Sequence, residues 1–268
     1  MPLTAFVAGT LYTPQPISNG VVVVEDDHIR EVAAREAIDI PQGAREVRLD
    51  EGIVTPGFVD THNHGAGGRD VMEASEESLD VVCRTLARFG TTSYYPTTLT
   101  APEADIRRAL ELLAGYIKES ETRPRPMAQP LGIHMEGPYL SAARRGVHPA
   151  EHLVDPTLDA YRELAEAAAG QLRIVTLAPE LAGAPELIEE MLETRVLPSM
   201  GHTDSTYNQA AKAVELGVRR ATHVFNAMRP FRHRDPGVMG TVLTDAGVTA
   251  ELIADGVHVD PVAIQLLY

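Results

Sequence analysis

Two rhythms divide the hydrophobic positions along the chain. Through the first 55 residues they come in short runs: Val21-Val22-Val23-Val24 is β-branched throughout, while His28-Ile29-Arg30-Glu31-Val32 and Glu46-Val47-Arg48-Leu49 alternate. Gly and Asp punctuate these runs, and no long helical period interrupts them, so residues 1–55 are expected to form a small β-sheet module with hairpins. From Gly57 the rhythm becomes strand, loop, helix, repeated. Runs suited to buried strands begin near Phe58, Thr91, Leu131, Leu172, Val196, Arg219 and Thr249. Helix start signals lie between them: Thr100-Ala101-Pro102-Glu103 offers a cap, an early Pro and a capping-box acid, and Asp155-Pro156, Ala184-Pro185-Glu186 and Ser205-Thr206-Tyr207 open others.

Alternating β and α with buried strands calls for a parallel sheet, either doubly wound or closed as a (β/α)8 TIM-type barrel. Seven candidate strands precede Gln265-Leu266-Leu267-Tyr268, which falls in a helix-like stretch. Residues 56–268 fall short of the roughly 250 a barrel typically takes. The expectation is therefore an α/β barrel that is incomplete, truncated before its eighth strand.

Polar residues collect at the ends of these strands. The first ends in Asp60-Thr61-His62-Asn63-His64-Gly65, the third in His134-Met135-Glu136-Gly137-Pro138 and the fifth in Met200-Gly201-His202-Thr203-Asp204. The sixth ends in Thr222-His223-Val224-Phe225-Asn226 and the seventh in Asp255-Gly256-Val257-His258. Strand alternation puts His62 and His64 on one face, about 7 Å apart along the chain, the spacing of a chelating pair. In a barrel these strand ends converge on one mouth, where the chemistry of the fold resides. Imidazole and carboxylate together suit a borderline divalent ion, Zn²⁺ first, with iron, manganese or cobalt as alternatives. Such an ion activates water and polarises a carbonyl, which implies hydrolysis. Among the ten histidines, His28, His152 and His233 lie in charged, loop-like surroundings and receive no role. No G-x-S-x-G elbow or Walker A sequence is present, and Gly65-Ala66-Gly67-Gly68 is read as a flexible rim loop.

Charge narrows the partners. With 23 basic and 38 acidic side chains the net charge is −15, which disfavours nucleic acid or an anionic membrane. The single cysteine, Cys83, sits in the apolar stretch Val81-Val82-Cys83 and is expected to be a buried structural thiol, in keeping with a reducing cytoplasm. No basic leader opens the sequence, and no apolar run reaches the roughly 18 residues of a spanning helix, so a cytoplasmic location is expected.

The β module followed by Pro56-Gly57-Phe58-Val59-Asp60-Thr61-His62-Asn63-His64 resembles the opening of the amidohydrolase superfamily. His134-Met135-Glu136-Gly137-Pro138-Tyr139-Leu140, Gly201-His202-Thr203-Asp204-Ser205, Thr222-His223-Val224-Phe225-Asn226-Ala227-Met228 and Ile253-Ala254-Asp255-Gly256-Val257-His258 narrow the resemblance to the N-acetylglucosamine-6-phosphate deacetylase family. That resemblance implies Glu136, His202 and His223 as ligands of the main metal. It implies His62 and His64 as the additional ligands of a second ion, so that one or two ions are expected. Asn226 and Ala227 resemble contacts to sugar and phosphate, and Arg234 resembles the phosphate-binding Arg. His148 and His258 resemble the sugar- and carbonyl-contacting histidines, with His258 also expected to act in catalysis.

The implied reaction is hydrolysis of the N-acetyl group of N-acetylglucosamine 6-phosphate to glucosamine 6-phosphate and acetate, by a homodimer. The family's general acid/base is an Asp at the end of the eighth strand, beyond residue 268. This predicts greatly reduced turnover for the 268-residue chain, and a β module left incomplete without the family's C-terminal strands. Two other readings stay open: an amidohydrolase acting on a different amide or a cyclic amidine, and an inactive barrel that only binds metal or sugar phosphate.

Overall fold

The computed structural model describes residues 2–122 and 125–267. Its contacts divide into two compact units, Met1–Phe58 and Val59–Tyr268.

The first unit carries four strands: β1 (Leu3–Thr13), β2 (Gln15–Glu25), β3 (His28–Ala34) and β4 (Arg45–Val54). They lie in the order β3-β2-β1-β4, with β1 antiparallel to β2 and parallel to β4. The valine run of β2 faces β1 along its length, pairing Val21 with Val7 and Val23 with Ala5. Ala5, Val7, Val21, Val23 and Ile38 make a small buried core. The β-branched pattern was visible in the sequence, but β1 and the first half of β2 carry too many small and polar residues to show a period.

The second unit is built on the predicted alternation. Its main strands are β5 (Phe58–Asn63), β8 (Thr91–Thr98), β10 (Ile133–Glu136), β11 (Leu172–Leu177), β12 (Leu197–Met200), β13 (Arg220–Ala221) and β14 (Thr249–Ala250). Short strands β6 (Gly65–Ala66) and β7 (Arg69–Asp70) form a hairpin after β5, and β9 (Gln129–Pro130) pairs with β8. The sheet runs β14-β13-β12-β11-β10-β8-β5, and the ladders from β8 to β14 are parallel. Seven strands thus stand where seven were predicted. The sheet curls: Thr61 at the end of β5 donates to Glu251 just past β14, at 2.8 Å, although these strands are the two ends of the path.

Helices cover the outside. α1 (Glu76–Arg88) buries Leu79, Val82, Cys83 and Leu86, a 3.6-residue stripe, and Ser75 caps its first turn. α2 (Glu103–Thr122) buries Ile106, Leu110, Leu113 and Ile117 on the same spacing. α3 (Leu158–Ala167), α4 (Ala184–Glu193), α5 (Tyr207–Leu216), α6 (Gly237–Thr244) and α7 (Pro261–Ile264) follow. Thr206 and Gln209 close a reciprocal capping box on α5, at the predicted start. Two predicted starts shift: α3 opens under Thr157 rather than at Asp155, and α2 opens at Glu103. In each case the proline belongs to the approach and the first free amides find their cap or carbonyl later.

Strand alternation sorts the side chains. Ile133, Met135, Val175, Leu177, Met200 and Ala221 join the large apolar core with the helices. The intervening His134, Thr176, Ser199 and Thr222 form a hydrogen-bonded chain of 2.6–2.7 Å links in the sheet's concave interior, all buried. A fully satisfied polar interior of this kind fixes register, because a slipped strand would strand its hydroxyls without partners. Cys83 is fully buried as expected, its sulfur 3.3 Å from Tyr94 Oη and 3.6 Å from Tyr116 Oη, and burial pushes its thiol pKa up.

Candidate metal centre

Strand ends deliver the donors. β5 contributes His62 and, one residue past its end, His64; β10 ends on Glu136; His202 and His223 follow β12 and β13. The alternation argument for the β5 pair holds to atomic detail, because the two Nε2 atoms are 3.0 Å apart. Asp60 tightens the turn beneath them, accepting from the His62 amide at 3.1 Å and from Asn63 Nδ2 at 2.9 Å.

Glu136, 2% exposed, is the hub. Its carboxylate faces two groups of imidazoles. Oε1 lies 3.1 Å from His202 Nε2 and 3.0 Å from His223 Nε2, which are themselves 3.0 Å apart. Oε2 lies 3.0 Å from His64 Nε2 and 3.4 Å from both His62 Nε2 and His148 Nε2. Burial alone would raise this carboxyl's pKa, but the imidazoles of His148, His202, His223 and His62 gathered on its two oxygens hold it well below the ordinary carboxylate range. Burial depresses His62, yet Glu136 and Glu251 outweigh it and lift the imidazolium pKa to about 9. A proton is thus held where a cation would be welcome. A buried carboxylate with imidazole nitrogens on both oxygens is the donor set of a borderline divalent ion, and it fits one ion or two.

The far sides of the rings show which nitrogens are free to ligate. His64 Nδ1 lies 3.0 Å from the Thr97 carbonyl and His202 Nδ1 lies 3.0 Å from the Arg144 carbonyl, so both carry the proton there and turn a lone pair inward through Nε2. His148 is the reverse. The Thr100 amide donates to its Nδ1 at 3.3 Å, which leaves the proton on Nε2. Buried His148 therefore presents an N–H to the site and acts as a donor, although its position beside Glu136 and His202 would otherwise suggest a ligand. His134 lies below the cluster, hydrogen-bonded at both nitrogens. Burial depresses its pKa to about 3, so it stays neutral.

The backbone around the centre is strained into place. His202, His223, Phe225 and Ala227 all adopt positive φ, between 32° and 74°, a costly conformation for side-chain-bearing residues that clusters at functional sites. Gly137, at φ 82°, has Thr100 Oγ1 where a Cβ would stand, so only glycine lets the Thr100 hydroxyl reach His148.

The cluster opens into a cavity of about 880 Å³ lined by His62, His64, Glu136, His148, His202, His223, Asn226, Ala227 and His258 among others, a size suited to a small ligand. His258 Nδ1 is held by Asp255 at 2.7 Å, and Asp255 also accepts the amides of Val257 and His258. Those hydrogen bonds lower the Asp255 pKa to about 2. Arg234 is exposed and stands outside the cavity lining. His28, His152 and His233 also lie away from it.

Sequence reasoning missed two carboxylates. Glu180, after β11, accepts from Thr203 Oγ1 at 2.6 Å, the Asp204 amide at 2.6 Å and Ser205 Oγ at 2.8 Å, and so anchors the loop that carries His202. Glu251 follows β14 and pairs with Arg220 and Thr61. Both stand just past the ends of sheet strands, so the rule that found the histidines would have found them had it been applied to every acid.

A curled parallel sheet with imidazoles and a carboxylate gathered at its strand ends has the architecture of a TIM-type α/β barrel that is not closed. The amidohydrolase family model matches residues 53–267, and the chain belongs to that family. It is 37% identical to an N-acetylglucosamine-6-phosphate deacetylase of Bacillus subtilis (strain 168) over 94% of this chain and 63% of that protein. It is also 37% identical to an N-acetylgalactosamine-6-phosphate deacetylase of Escherichia coli O157:H7, over 88% of this chain and 60% of that one. A solved mutant N-acetyl-D-glucosamine-6-phosphate deacetylase from Mycobacterium smegmatis, in complex with N-acetyl-D-glucosamine-6-phosphate, superposes with a TM-score of 0.87 at 31% identity, covering 100% of this chain and 68% of that one. The chain thus spans about three fifths of the length of the curated relatives it matches.

Proposed function

We propose that the protein removes the acetyl group from N-acetylglucosamine 6-phosphate, with Glu136, His202 and His223 holding one divalent cation and His62 and His64 offering a second position across the same carboxylate. The observation that carries this reading is the divided Glu136 carboxylate, with Nε2 atoms at 3.0–3.1 Å on Oε1 and at 3.0 Å on Oε2. Zn²⁺ is the cation this mixed imidazole–carboxylate set suits best. Bound there, it would supply Lewis acidity towards a water and a carbonyl oxygen.

The chain's own residues would do the rest. His148 Nε2–H, its tautomer set by Thr100, would donate to a substrate oxygen beside Glu136. His258, oriented through Nδ1 by Asp255 and lining the same cavity, would present Nε2 to the amide. Asn226 and Ala227, on the strained segment after β13, would hold the sugar. Arg234 is proposed to reach the phosphate from outside the cavity wall, and a cytoplasmic homodimer is the proposed working form.

Two relatives of equal identity differ in their printed hexosamine, so both epimers are assayed. The test is titration calorimetry of the zinc-loaded chain. Saturable binding of N-acetylglucosamine 6-phosphate is expected, at least ~10-fold tighter than the unphosphorylated sugar and lost in Glu136→Ala. Equal binding with and without phosphate contradicts the substrate class, and tighter binding of the galacto epimer reassigns the sugar.

A further inference from the structure

Glu251 is given no part in the proposed chemistry, yet its carboxylate is buried and its two oxygens keep unequal company. Oε1 accepts from Thr61 Oγ1 at 2.8 Å and from the Arg220 guanidinium. Oε2 is sealed from solvent with no hydrogen-bond partner among the described residues, 3.9 Å from His62 Nδ1. A buried carboxylate oxygen without a donor is expensive, and the ring nitrogen it faces is the one that points away from Glu136.

His62 is the ring in which this matters. Its Nε2 is turned into the cluster, 3.0 Å from His64 Nε2 and 3.4 Å from Glu136 Oε2. To lend a lone pair through Nε2 it must keep its proton on Nδ1, and that proton needs an acceptor. His64 and His202 have theirs, the carbonyls of Thr97 and Arg144. Within the cavity wall, Glu251 stands in the equivalent place for His62, with a full negative charge where the others have a carbonyl dipole.

We propose that Glu251 is a positioning residue for the cation site at His62 and His64. Its negative charge, 3.9 Å behind the ring, favours the Nδ1–H tautomer of His62 that frees Nε2, and makes that ring a stronger donor. Arg220 and Thr61 grip Oε1, which holds the carboxylate behind the ring and keeps it from swinging round to bind the cation itself. The inference rests on the metal reading above and adds that the two faces of Glu136 are tuned differently: a carboxylate backs the His62 side, whereas a carbonyl backs His202.

Competitive zinc titration of the whole 268-residue chain against a chromophoric chelator tests this. His64→Ala identifies the ion on one side of Glu136 and His202→Ala the ion on the other. Glu251→Gln should weaken the ion sensitive to His64→Ala by 10–100-fold, as removal of such an outer acceptor typically does. It should leave the ion sensitive to His202→Ala within about threefold, a selectivity that general loosening of the fold would not produce. Because Glu251→Gln also strips Arg220 of its partner, the Arg220→Met/Glu251→Gln double variant is titrated beside it, and the same selective loss is expected. Equal weakening of both ions, or no weakening in either variant, overturns the inference and leaves the metal reading standing. A single ion insensitive to both Glu251 variants does the same. A parent chain that takes up no ion overturns both.

Discussion

Strip the chain of metal with a chelator and raise the pH from 6.5 to 9, and its folding stability should fall by about 3 kcal/mol. His62 sets this magnitude. Its imidazolium pKa stands at about 9 in the folded chain, against 6.5 for an ordinary histidine. Below pH 6.5 folded and unfolded chains both hold the proton, and the attraction of Glu136 and Glu251 for it contributes in full. Between 6.5 and 9 only the folded chain binds it, so each pH unit costs about 1.4 kcal/mol, and above 9 the contribution is gone. On the acid side the sign reverses. His134 stays neutral down to about pH 3 because burial disfavours its charge, so the unfolded chain takes up a proton first and stability falls below 6.5. Glu251, held to about 2 despite its burial by His62, His134 and Arg220, adds to the loss below about 4.5. Ion-free stability should therefore peak near pH 6.5. Urea unfolding in chelator, followed by far-ultraviolet circular dichroism at half-unit pH steps, measures the curve. His62→Asn should flatten the alkaline limb and leave the acid limb in place, and saturating zinc should flatten it too, because the cation takes over the role of the proton. A parent chain whose stability is level or rising between pH 6.5 and 9, or an alkaline limb that survives His62→Asn, would refute this account of the cluster's electrostatics. A change of this size is a large fraction of the 5–15 kcal/mol that holds a typical domain together.

His148→Gln should weaken phosphosugar binding at least tenfold while zinc content stays at the parent level, since the ring is assigned as a donor; loss of zinc would make it a ligand instead. Glu180→Ala removes three hydrogen bonds to one carboxylate and should destabilise the chain by about 3 kcal/mol in thermal melts. Gly137→Ala would bring a Cβ to within 2.1 Å of Thr100 Oγ1 at a positive φ, and a loss of about 2 kcal/mol together with weakened sugar binding is expected. The Cys83 thiol should ignore an aromatic disulfide reagent in the native chain and react at once in denaturant.

The sequence showed the architecture of the second unit wherever burial imposes a pattern. Each of the seven sheet strands lies near a predicted start, and α4 and α5 begin where Ala184-Pro185 and Thr206-Tyr207 signalled, because those signals are local. The centre was legible for the same reason: strand ends gathered His62, His64, Glu136, His202 and His223, and two-residue spacing set the first pair on one face. What stayed hidden depends on atoms far apart in the chain. The donor role of His148 follows from a backbone amide 48 residues away, and the exposure of Arg234 follows from the path of its loop. The interior chain of His134, Thr176, Ser199 and Thr222 looks in sequence like ordinary strand propensity, and only the curl of the sheet turns it into a network.

The proposed chemistry depends on a divalent cation held at the Glu136 carboxylate. Elemental analysis of the purified chain, after exhaustive dialysis against metal-free buffer, asks this directly. The account predicts one to two equivalents of a divalent transition metal in the parent and almost none in Glu136→Ala of matching circular dichroism. A parent free of such metal, or a Glu136→Ala variant that keeps it, would contradict the central claim.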